Sequence, residues 1–128
     1  MVQYETISFE LVNNPIYQFQ KLVIDGKCHI QEFYESIKEN PSLLDKFYAI
    51  ISYMDNMSPQ IQYPQTKFRH IETVGRSDVY EFKKKPLRVY VVKQEPDIYV
   101  VLGGMKNDQK TDIKWLKKAL KDFKMKQS

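Results

Sequence analysis

The sequence predicts an α+β fold: an antiparallel sheet of about four to five strands, with a helical hairpin on its N-terminal side and a helix at its C-terminus. Three observations carry that expectation. Residues 79–105 hold three apolar runs separated by short links at Pro86 and Pro96-Asp97, and links that short join antiparallel neighbours. Residues 28–57 switch to a helical period on either side of Asn40-Pro41. Residues 109–125 set apolar side chains on one helical face and lysines around the rest.

Taken in order, residues 4–11 alternate, with Ile7, Phe9 and Leu11 on one face and Ser8 and Glu10 on the other. That is the period-2 pattern of a half-buried strand. Asn13-Asn14-Pro15 signals a turn, and residues 16–24 are rich in β-formers up to a stop at Asp25-Gly26. The two segments are candidates for a hairpin of unspecified register, an extension ahead of the main domain.

From residue 28 onward Ile30, Phe33, Tyr34 and Ile37 recur at i, i+3, i+4 and i+7. Asn40 suits an N-cap and Pro41 the first helical position. The second helix then runs to about residue 56, with Leu44, Phe47, Tyr48, Ile51 and Met54 as its buried stripe. Its short link to the first helix requires antiparallel packing. Residues 58–65, with two prolines, form a loop, and 67–73 a short strand.

The sheet proper spans 79–84, 87–93 and 98–105, and Val100-Val101-Leu102 is a run expected of a strand covered on both faces. Gly103-Gly104 breaks it. The last helix, capped at Asp108 or Thr111, turns Ile113, Leu116, Leu120 and Phe123 inward. Lys114, Lys117, Lys118, Lys121 and Lys124 face away. The layout is one domain over residues 1–128: a strand extension at 1–24, a helical hairpin at 28–57, a sheet at 67–105 and a helix at 109–125.

Composition bounds the function. A hydrophobic fraction of 42% in 128 residues is that of one folded domain. No apolar run reaches the roughly 18 residues of a membrane span, and residues 1–11 lack the apolar core of a signal peptide. The single cysteine, Cys28, permits no internal disulfide, which fits a reducing cytoplasm, and it reads as a packing thiol. Nucleotide-loop, paired-cysteine and zinc-protease motifs are missing, and the only histidines are His29 and His70. Neither a metal nor a cofactor is expected.

Charge is split between the halves. Residues 1–66 carry four lysines against eight acids, a net −4, while residues 67–128 carry sixteen Lys and Arg against eight acids, a net +8. Such a split suggests that the second half meets a polyanion, although a solvated basic helix supplies much of it. The sharper feature is cations borne on strands. Lys83, Lys84, Lys85 and Arg88 flank a tight turn, the adjacent strand carries Lys67, Arg69 and His70, and Lys106 and Lys110 sit where the last strand enters its loop. Converging on one surface, with Tyr80, Tyr90 and Tyr99 nearby, they would bind phosphates by charge and stack bases on rings. The plainer alternative is an edge turn decorated with lysines and a core filled with tyrosines.

The order of these residues carries a likeness. Val79-Tyr80-Glu81-Phe82-Lys83 is followed by Leu87-Arg88-Val89, then by Lys106 with Gln109-Lys110-Thr111 and a helix bearing Ile113 and Ala119. Over about residues 28–124 this resembles the RelE/ParE superfamily of bacterial toxins, specifically its phage-derived HigB-like branch. The corresponding patterns there are a "lYElR" strand, an "hRv" strand and a "K-K-x-Q-K-T-P" loop. The resemblance implies a RelE-like fold and metal-independent, cofactor-free cleavage of mRNA on the ribosome. It also implies a cytoplasmic location and a cognate antitoxin, of helix-turn-helix type, that covers the basic surface. By motif position, Arg88 would bind phosphate and the transition state, and Lys83 and Lys106 would bind phosphate or move protons. Lys67, Arg69, His70, Lys84, Lys85 and Lys110 would bind RNA. The chain departs from the pattern at Lys83, where arginine is usual and an ammonium makes no bidentate phosphate contact. It also departs at Asn107 and at Asp112, which stands in place of proline. A related module that binds RNA, a ribosome or a protein without cutting is the alternative, and a gyrase-directed toxin is a third.

Overall fold

A mixed six-stranded sheet organises the chain in a computed structural model that describes residues 2–124. The elements run β1 (Tyr4–Ser8), β2 (Gln18–Ile24), α1 (His29–Ile37), α2 (Pro41–Asp55), β3 (Phe68–Val74), β4 (Ser77–Lys84), β5 (Leu87–Gln94), β6 (Asp97–Met105), a single 3-10 turn at Lys106–Asp108, and α3 (Gln109–Ala119). Across the sheet the order is β1-β2-β6-β5-β4-β3.

This corrects the expected fold class. The sheet has six strands rather than four or five, it is mixed rather than antiparallel, and the two helices follow two of its strands instead of preceding it. The cause lies in residues 1–24. β1 and β2 pair antiparallel, as a short connection requires, but β2 then joins the free edge of β6 in parallel, Phe19 opposite Ile98 and Lys21 opposite Val100. Short links constrain only the meander β3-β4-β5-β6. No short link joins β2 to β6, so their direction is free; Phe19 in the paired stretch and Leu22, Val23 and Ile24 beyond it are buried. The β1–β2 loop is tied down by Asn14, whose side-chain amide donates to the carbonyls of Met54 and Met57, each at 2.8 Å.

β5 is the centre. Residues 87–92 are all buried, including Arg88, and each large apolar side chain among them contributes about 1.5–3 kcal/mol of burial energy. One face of the sheet packs Phe82, Leu87, Val89, Val91, Ile98 and Val100 under α1 and α2. The other packs Val79, Tyr90, Val92 and Val101 against Leu116, Leu120 and Phe123. Val101 has no partner in β5, since Tyr90 pairs with Leu102 and Val91 with Val100. This bulge explains how three consecutive apolar residues are accommodated.

Local signals acted as their chemistry dictates at Asn40, whose side chain accepts from the amide of Leu43, 3.1 Å away, with Pro41 opening α2. The buried stripe of α2 is rotated from the expected one: Phe47, Ile50, Ile51 and Met54 are buried, and Tyr48 is exposed. α3 ends at Ala119 rather than near 125, which lies outside the described residues, and Leu120 and Phe123 reach the core from a turn. Cys28 is the half-buried N-cap of α1 and packs on the core.

Gly103 sets how closely α1 approaches β6. A methyl placed there would fall inside the Phe33 ring, and overpacking of this kind costs about 1–3 kcal/mol. Gly103→Ala is expected to lower the unfolding free energy by that amount, read in urea titration as a lower midpoint with an unchanged slope.

Candidate functional site

Alternation along β4 decides the site. Tyr80 and Phe82 point to the α1–α2 side, so Val79, Glu81 and Lys83 point to the α3 side. Glu81 is thereby placed under the start of α3 with no solvent exposure. A lone carboxylate there is costly and must be compensated. Its compensation comes from three strands and a helix. Arg69 of β3 lies 2.6 Å away through Nε. Arg88 of β5 approaches the second oxygen with Nε at 3.7 Å, and Lys83 brings Nζ to 4.0 Å. The side-chain amide of Gln109 donates to Glu81 from the first turn of α3.

Three cations around one buried carboxylate leave a surplus of positive charge. Arg88 makes no hydrogen bond through Nε, and its Nη1 donates to the carbonyl of Leu87 at 3.0 Å. A further acid at this end is Asp112, whose Oδ2 is buried without a partner and fills the space above Gly104. Burial, with the neighbouring Asp108 assisting, pushes its carboxyl up to about 6. Tyr90, also buried with an unpartnered hydroxyl, is driven well above the phenol range by burial and then by Asp112. Burial, followed by the charge of Arg69, lowers Lys83 from the usual lysine value.

A second group of cations adjoins the first. The amide of Lys106 donates to the carbonyl of Pro86 at 2.7 Å, which stitches the end of β6 to the β4–β5 turn. This sets Lys106 beside Lys85, and the Lys85 charge, more than the nearby Arg88, lowers the Lys106 ammonium. Lys83, Lys85, Arg88 and Lys106 therefore occupy one corner of the molecule, with Arg69 at its margin.

The remaining candidates do not join them. Lys67 lies over the Tyr53 ring at 5.3 Å, on the α2 side. His70 faces away from α3, 3.3 Å from Asp78 and edge-on to Tyr80. Lys84 alternates to the opposite face from Lys83, and Lys110 stands exposed on α3 without an ion pair among the described residues. Nor are the tyrosines free to stack on bases: Tyr90 and Tyr99 are buried and Tyr80 is stacked on Phe68 at 4.9 Å. The α3 lysines form a solvated face, and Lys117 pairs with Glu72.

Glu81 and Gln109 were motif letters without roles in the sequence reading. The available signal was a carboxylate between Val79 and Lys83 on the inward side of a strand. No protein-family model matches the chain, and comparisons with curated proteins and with solved structures find no significant match.

Two outcomes are expected. Glu81→Gln, similar in shape, leaves three cations uncompensated and destabilises the fold by about 3–5 kcal/mol in urea titrations. Asp112 has a folded-state pKa above its ordinary 3.8, at about 6. Its ionisation therefore removes stability as pH rises from about 4 to 6, the reverse of an ion-paired acid. The stability of Asp112→Asn relative to the parent should rise over that interval by roughly 1 kcal/mol after solvent screening, and pH-resolved denaturation measures it.

Proposed function

We propose that the protein acts on RNA as the toxin of a toxin–antitoxin pair, a ribosome-dependent endoribonuclease that works without metal. The observation that supports this reading is the corner formed by Lys83, Lys85, Arg88 and Lys106, where two lysines of lowered pKa flank a buried arginine. A phosphodiester is the ligand such a corner lacks, because its charge relieves the crowding of like cations.

The chemistry follows from those groups. A ribose 2′-OH gives its proton to a neutral lysine and attacks the adjacent phosphorus, and the bond to the 5′-oxygen breaks. That oxygen takes a proton from a second ammonium, leaving a 2′,3′-cyclic phosphate and a 5′-hydroxyl. Lys106, exposed and crowded by Lys85, is suited to the base, and Lys83 to the acid. Arg88 supplies charge to the phosphorane. Because neither lysine is a strong base at neutral pH in solution, alignment of the RNA by the ribosome carries much of the acceleration.

One observation favours a second reading, binding without cleavage. Arg88 is 8% exposed and already engaged by Glu81, so its contact with a scissile phosphate requires the RNA to draw it from that partner.

Induced expression in bacteria lacking an antitoxin tests both. The toxin reading expects growth arrest and codon-phased mRNA cuts that Arg88→Ala and Lys106→Ala abolish; intact mRNA refutes it. In filter binding with a short RNA, Lys85→Ala with Lys106→Ala should flatten the log-affinity against log-salt slope by about 1.4–1.8. An unchanged slope would remove the corner from RNA contact in either reading.

A further inference from the structure

The two edges of the sheet are built differently. β3 is interrupted by a bulge between His70 and Glu72 and carries Arg69, His70 and Glu72, devices that discourage further strand pairing. β1 lacks the bulge and carries a single charge, Glu5. Its residues, Tyr-Glu-Thr-Ile-Ser, pair with β2 in unbroken register and contain no lysine, proline or bulge. An edge left in this state is a template for another strand.

The surroundings of β1 specify what that strand would carry. Four of the six large exposed hydrophobics, Val2, Ile7, Leu11 and Ile16, lie within residues 2–16, and Ile7 is 51% exposed. Ile7 and Leu11 border a groove of about 370 Å³ that continues to Tyr34 and Phe47 beneath the helices. The cation in the groove is taken: Lys21 donates to Gln31 at 2.9 Å and lies over the Phe9 ring. The acids are not taken. Glu10 borders the groove, Glu5 shares the face of Ile7, and neither has an ion pair among the described residues. Two copies meeting here would set these acids against the same acids, within halves that each carry −4.

We propose that β1 receives an extended segment of a partner protein as a seventh strand, with an apolar side chain entering the groove beside Ile7 and basic side chains facing Glu5 and Glu10. Backbone pairing supplies affinity, and the groove and acids supply selectivity. The proposal does not rest on the RNA reading.

The probe is the capped peptide Thr-Lys-Thr-Ile-Thr-Lys-Thr, which presents Lys, Ile and Lys on one face in either strand direction. Titrated into the ¹⁵N-labelled protein, it should shift the amides of Tyr4–Ser8 and residues bordering the groove. Replacing both lysines with glutamate, or the isoleucine with serine, should weaken binding about tenfold. N-methylation of one alternating set of its residues, the threonines for one strand direction or the lysines and isoleucine for the other, should abolish binding. Ile7→Lys, at an exposed position, should keep the native spectrum and RNA affinity while weakening the peptide about tenfold. Shifts confined to β3 or the basic corner, equal binding of the glutamate peptide, no binding at millimolar peptide, or dimerisation of the free protein that Ile7→Lys abolishes would each overturn the proposal.

Discussion

The buried carboxylate of Glu81 is the constraint on which the rest of this architecture depends. A charge with no solvent exposure is tolerated only where its oxygens are met, and here they are met from β3, β4, β5 and α3 at once. Register therefore becomes a condition of stability. A one-residue slip of β4 would send Glu81 to the aromatic side and Phe82 under Gln109, losing both the ion cluster and the core contacts of Phe82. Gln109 extends the same constraint to α3. The helix must begin where its first turn reaches the carboxylate, and Leu116 then packs with Val79, Tyr90, Val92 and Val101.

Electrostatics at that end is set by an imbalance. Glu81 neutralises one of the three cations around it, and burial pushes the carboxyl of Asp112, a further acid at this end, up to about 6. Lys85 and Lys106 add their charges at the turn. The fold thus keeps several cations close together on rigid strands, where a mobile surface cluster would spread apart. That preorganisation is what an anionic ligand would gain by binding here, since Glu81 offsets only part of the positive charge.

Much of this layout could be read from the residues, and the failures share a cause. Short links and apolar runs located β4, β5 and β6 to within about two residues at each end, because those signals are local. The helices were found from period and from the Asn40-Pro41 cap. Sheet membership of β2 was not, since its pairing with β6 joins residues such as Phe19 and Ile98 with no link between them to constrain direction. Among the candidate site residues, Lys83, Arg88 and Lys106 do come together, as one cation per strand or strand end suggested. His70 and Lys67 were included by closeness in sequence and lie elsewhere: His70 follows Arg69 on the strand and so points to the opposite face, and Lys67 precedes β3 and lies over the Tyr53 ring. Asp112 stands out in the sequence as a departure from the expected pattern, but its raised pKa depends on burial that no spacing reveals.

The extension at residues 1–24 changes which edge the sheet presents as well as the strand count. It covers the edge of β6 and presents β1 instead, on the acidic half of the chain. From β1 to β4 the sheet order crosses four strand spacings, roughly 19 Å at about 4.8 Å each. That exceeds the Debye length of about 8 Å at physiological ionic strength, so a basic segment on β1 would not neutralise the cationic corner or be repelled by it. A segment docked on β1 and an anion bound at the corner would therefore act separately. A protein that silences this corner through β1 needs a second segment to span the sheet. The first segment would raise the effective concentration of the second, and affinity would come from the linkage instead of from either contact alone.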